Sequence, residues 1–128
     1  MNALAPFLAG HGVRLAYLFG SLVRAFEGAS IPVHDVDLAL LTPPGQPSYL
    51  LHQPLCEHLG IERLDLIDLR RATSEFRFAI ISEGRCLYAA DDEERLAFEL
   101  ATLREYKDRA HVRRMHEQLL RERFARWS

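Results

Sequence analysis

The chain has 128 residues, 48% of them apolar, enough for one compact domain with its own core. Sixteen Lys and Arg against eighteen Asp and Glu leave a formal charge of −2. That balance excludes a broad basic field and argues against direct nucleic-acid binding by the molecule as a whole. No stretch nears the ~18 successive apolar residues of a membrane-spanning helix, and residues 1–12 lack the charged-then-apolar order of an export signal, so a soluble, cytoplasmic protein is expected.

In chain order, Leu4, Phe7 and Leu8 stand at helical spacing and predict a short opening helix that stops at His11-Gly12. Arg14 to Phe19, apolar and aromatic between Gly12 and Gly20, reads as a first strand running into a turn. Asp35 to Leu41 starts acidic and continues apolar until Pro43-Pro44-Gly45, as a buried strand with a polar tip does. Leu50, Leu51, Leu55 and Leu59 predict a helix that ends at Gly60 and kinks at Pro54. Ile61 to Leu69 supplies a third strand, Ala72 to Ser82 a helix closed by Gly84, and Arg85 to Tyr88 a short strand. A long helix then begins after Asp91-Asp92, whose carboxylates suit free N–H groups at a helix start. Leu96, Leu100, Leu103, Tyr106 and Ala110 mark its apolar stripe. Beyond Asp108 the stripe loses register, which predicts a bend or break. The order is that of one α/β or α+β unit: a small mixed sheet flanked by helices, with a long C-terminal helix. Residues 1–110 form the domain and residues 111–128 its helical extension.

Three features carry chemistry. A strand ending in Gly20-Ser21 and followed by a helix presents backbone N–H groups and a hydroxyl to a phosphate, although the same pair alone is an ordinary turn with a helix cap. Asp35 and Asp37 are two apart on a strand, so both carboxylates point to one face while Val36, Leu38 and Leu40 point to the other. Two carboxylates so placed repel unless a hard cation such as Mg²⁺ lies between them. A third carboxylate is offered by Asp65 or Asp68. These differ by an odd number and face opposite ways on a regular strand, and periodicity does not choose between them. Three carboxylates beside a phosphate-binding turn suit metal-assisted phosphoryl or nucleotidyl transfer.

Leu18-Phe19-Gly20-Ser21-Leu22-Val23-Arg24, then Asp35-Val36-Asp37-Leu38-Ala39-Leu40-Leu41, resembles the signature of the minimal nucleotidyltransferase (MNT) family of the polymerase β superfamily. Leu64-Asp65-Leu66-Ile67-Asp68-Leu69 and Ser82 to Tyr88 resemble its later segments, so the likeness spans most of residues 14–110. The resemblance implies a polymerase β-like nucleotidyltransferase fold, Gly20, Ser21 and Arg24 at the triphosphate of ATP, Asp35 and Asp37 on Mg²⁺, and Asp65 as the third carboxylate and metal ligand. It further implies an antitoxin that moves AMP from ATP to a tyrosine of a partner HEPN ribonuclease toxin, within a hetero-oligomer. An antitoxin acting by binding alone, and an aminoglycoside-modifying enzyme, are the alternatives. The thirteen residues between Ser21 and Asp35, with Ala25 and His34 among them, make a longer and different loop than the family usually has.

Residues 104–126 hold eight Lys and Arg against four Asp and Glu. With Met115, Leu119, Leu120, Phe124 and Trp127 interleaved, the segment reads first as a solvated face, then as a docking helix, and last as an RNA contact. The six histidines show no metal-ligand spacing, and Cys56 and Cys86, far apart among apolar neighbours, are expected to be free thiols.

Overall fold

The computed structural model describes residues 4–20 and 35–127. Helix α1 (Leu4–Gly10) leads into strand β1 (Leu15–Phe19), and β2 spans Asp35–Leu41. A 3-10 turn (Ser48–Leu51) passes into α2 (His52–Leu59), so the residues around Pro54 form a tight turn followed by a helix rather than one kinked helix. Pro54 sits in the first turn of α2, where a missing N–H costs nothing. Strand β3 (Arg63–Asp68), helix α3 (Ser74–Glu83), strand β4 (Arg85–Ala89) and helices α4 (Asp92–Asp108) and α5 (Ala110–Trp127) follow. The predicted C-terminal helix is present and divides at Arg109, where the stripe lost register.

The four strands lie in the order β3-β2-β1-β4. β1 is antiparallel to both its neighbours, while β2 and β3 are parallel. Period-two alternation divides the sheet into two packed faces. Ala16, Leu18, Val36, Leu38, Leu40 and Leu64 join Leu4, Leu8 and Leu55 of α1 and α2 in one core. Leu15, Tyr17, Ala39 and Leu41 join Ile80 of α3 in the other, with Phe98 of α4 packed against it.

Caps fix the helices of the second face. Thr73 accepts a hydrogen bond from the Phe76 amide at 3.1 Å and starts α3. Asp91 accepts one from the Glu94 amide at the head of α4, as its sequence suggested. Only the later part of the stripe read from α4 is packed: Leu103 and Tyr106 are half-buried, with Tyr106 stacked on Phe78 of α3 at 3.9 Å. Leu96 and Leu100 are exposed, and the helix faces the sheet with Phe98 and the buried Thr102. Polar groups are what hold it there. The hydroxyl of the buried Tyr17 donates to Glu99 at 2.7 Å and Arg14 of the segment before β1 bridges Glu94, while Arg95, within α4 itself, also donates to Glu99. A hydrophobicity pattern cannot register such a contact. Both cysteines are free and half-buried, and burial pushes the Cys86 thiol above its usual pKa. Among the described residues no helix is long and apolar enough to cross a membrane.

Candidate active site

The register of the three adjacent strands assembles the acidic residues. Phe19 at the end of β1 lies opposite Asp37 of β2, and Asp37 lies beside Asp65 of β3. Side chains level with each other on neighbouring strands share a face, and the strands are about 4.8 Å apart. Asp37 and Asp65 therefore stand side by side on the α3–α4 face, level with Phe19 and just beyond Ala39 and Ile67. Asp37 is half-buried and Asp65 exposed.

Pairing register thus separates the two acids of β3. Asp68 is level with Leu40 and belongs to the opposite face. Its carboxylate accepts a hydrogen bond from the Arg70 amide at 3.0 Å, a turn contact at the strand's end.

Gly20 closes the site on the β1 side. Its φ is +78°, a conformation that side chains disfavour, and a Cβ built there would fall on Asp37 Oδ2. The main chain consequently approaches this carboxylate more closely than any other residue type would permit. Ser21, Arg24, the loop over residues 26–34 and the side chain of Asp35 lie outside the described residues.

Among the described residues no three His, Cys, Asp or Glu side chains are grouped closely enough to hold a metal ion. The described donors are two carboxylates on one face, hard oxygen ligands of the kind Mg²⁺ takes, usually with waters and substrate phosphates completing its shell. The residues present fit such an ion.

Two neighbours of the site were invisible to the sequence. Phe76, from the first turn of α3, meets Phe19 edge to face with ring centres 6.1 Å apart. On the outer side of β3, an open cleft of about 400 Å³ is lined by His52, Glu62, Arg63, Leu64 and Asp65. There the His52 ring nitrogen Nε2 lies 2.8 Å from the Leu64 carbonyl, holding α2 against the edge strand. His52 pairs with backbone twelve residues away, a contact that the spacing between histidines does not signal.

A mixed sheet with a glycine turn beside two in-register aspartates on neighbouring strands is an arrangement suited to nucleotidyl transfer. The chain belongs to the polymerase beta nucleotidyltransferase family, whose model matches residues 2–93. Solved structures agree on the fold. A chain of a toxin–antitoxin complex with AMP-PNP has a TM-score of 0.71 at 23% identity, over 93% of this chain and 97% of its own. A chain of the complex between tri-AMPylated Shewanella oneidensis HEPN toxin and MNT antitoxin has a TM-score of 0.68 at 22% identity, covering 93% and 94%. A chain of the MntA–HepT toxin–antitoxin complex has 0.67 at 22% identity, covering 93% and 95%. No sequence match is found among curated proteins.

Proposed function

We propose that the protein is an MNT antitoxin that transfers AMP from ATP to a tyrosine hydroxyl of a HEPN-type toxin and so neutralises it. The observation that carries this reading is Asp65 standing level with Asp37 beside Gly20. Support for the partner comes from solved relatives of the same fold, one an AMPylated HEPN toxin bound to an MNT antitoxin.

In this reading the Gly20 amide and the Ser21 hydroxyl bind the triphosphate, with Arg24 as a further cation. Asp35, Asp37 and Asp65 would hold Mg²⁺, which when bound neutralises triphosphate charge and acidifies the attacking hydroxyl. Asp65, exposed at the edge-strand cleft, accepts the tyrosine proton. The tyrosine oxygen then bonds to the α-phosphorus, the bond to the bridging oxygen breaks, and pyrophosphate leaves. The cleft beside Asp65 gives the acceptor side chain an approach along β3.

The test is incubation of the protein with ATP labelled in its α-phosphate, Mg²⁺ and the protein encoded by the adjacent reading frame. Label is expected on a partner tyrosine, and Asp37→Asn should abolish it. An unlabelled partner, or undiminished labelling by the variant, refutes the transfer. Full neutralisation of the toxin by Asp37→Asn would instead establish an antitoxin acting by contact alone.

A further inference from the structure

Helix α5 carries an apolar stripe that nothing in the described chain covers. Val112, Met115, Leu119, Leu120 and Phe124 follow the i, i+3, i+7, i+8, i+12 spacing of a helix face that is normally buried. Yet Leu119 is 59% and Phe124 74% exposed, and every residue from Arg114 to Ala125 is exposed. An isolated helix of this length is marginal in water, and a contiguous apolar patch marks an interaction surface. A second uncovered patch lies on α4, where Leu96 is 58% and Leu100 42% exposed, with Ala97 and Ala101 exposed beside them.

The two patches complement each other in charge, and the α4 patch from Leu96 to Ala101 would cover part of the longer α5 stripe. α4 opens with exposed Asp91, Asp92 and Glu93, and the later half of α5 carries exposed Arg121 and Arg123 against Glu122, a net positive charge. Laid antiparallel, the acidic start of α4 meets the basic end of α5, and Leu96 and Leu100 meet Phe124, Leu120 and Leu119.

This pairing cannot occur within one chain. Only Arg109 separates the two helices, whereas a helical hairpin takes a loop of about two to five residues. The direction of α5 is moreover fixed at its base. Arg109 and Arg113 bridge Glu75 of α3 at 3.6 and 3.4 Å, and Arg113 lies 4.0 Å above the Tyr106 ring.

We propose that α5 docks on α4 of a second copy of this chain, and reciprocally, so that the protein forms a two-fold dimer through two antiparallel α4–α5 contacts. Such a contact is isologous, each copy giving one acidic and one basic patch. The proposal is independent of nucleotide transfer.

Sedimentation velocity of the whole chain tests it. The wild type is expected to sediment as a dimer, weakened by salt as its charged pairs are screened. Asp92→Arg with Glu93→Arg forms one variant, and Arg121→Glu with Arg123→Glu a second. Each should weaken the dimer by more than about tenfold. Mixed in equal amounts the two should associate again, because each then offers the other opposite charge at both contacts. Leu119→Asp should dissociate the dimer without disturbing the sheet, and thermal melts followed by circular dichroism check that each variant is folded. A wild type that is monomeric at about 100 μM, charge reversals that leave the dimer intact, or a mixture that fails to associate would each overturn the proposal. So would a monomer that uses Leu119 only to bind the toxin.

Discussion

Gly20→Ala perturbs the junction between β1 and the candidate site in two separable ways. Its backbone sits at φ +78°, where a side chain costs about 1–2 kcal/mol, and the new methyl would fall on Asp37 Oδ2. Gly45 provides the comparison, since its φ is +85° and nothing lies within 4 Å of where its Cβ would be. Gly45→Ala therefore carries the backbone cost alone, about 1–2 kcal/mol by urea unfolding. Gly20→Ala should lose a further ~1–3 kcal/mol, because Asp37 or its strand must give way to the methyl. Asp37→Ala removes the atom that the methyl strikes. In the double variant the losses should fall short of additive by about 0.5–3 kcal/mol. The same crowding displaces a carboxylate proposed to act in transfer, so AMP labelling by Gly20→Ala should fall about 10²-fold or more while Gly45→Ala labels normally. Equal costs at the two glycines, or strict additivity with Asp37→Ala, would refute the close approach of main chain and carboxylate.

Other outcomes follow from the same geometry. Asp65→Asn should lower AMP transfer by at least about 10²-fold, the usual contribution of a proton-accepting group, whereas Asp68→Asn, on the other face, should leave the transfer rate unchanged. Burial, and then the hydrogen bond to Glu99, holds the Tyr17 phenol far above its usual pKa. Above pH ~10 the unfolded chain loses this proton and the folded chain keeps it, so stability that is complete below that pH falls as pH rises. The melting temperature should drop above pH ~10, and drop less in Tyr17→Phe. Leu38→Ala, at the centre of the face covered by α1 and α2, should cost about 2–5 kcal/mol in urea unfolding. Arg77 donates to the Leu69 and Arg70 carbonyls at 2.6 and 2.8 Å, and Arg77→Leu should cost about 1–3 kcal/mol in the same assay.

Where side chains alternate on one strand, the sequence was enough. The bounds of β2 match the acidic start and apolar run, and the division of Val36, Leu38 and Leu40 from Asp37 follows from period two alone. The third carboxylate was not legible in that way. Distinguishing Asp65 from Asp68 requires knowing which residue of β3 lies level with Asp37, and that register is a property of two strands, not of either one. The sequence misassigned the buried side of the first half of α4 for a different reason. Tyr17 on Glu99 and Arg14 on Glu94 tie that half to the sheet by polar contacts, so Leu96 and Leu100 were free to face outward. The break at Arg109 was legible as a loss of register, but its anchor, Glu75, comes from a helix far back in the chain.

The strand order also has a consequence for synthesis. β1 is made first, and its partner on one side, β4, ends at Ala89. Until that residue leaves the ribosome, one row of β1 amides and carbonyls has no strand to pair with, the condition that invites pairing with another nascent chain. The parallel neighbour of Asp37 arrives only after the chain has crossed back through the 3-10 turn and α2. A chain stalled at residue 60 already carries Gly20 and Asp37 but lacks the acid that stands beside them. The chain must be made through β3, to Asp68, before it can hold the pair.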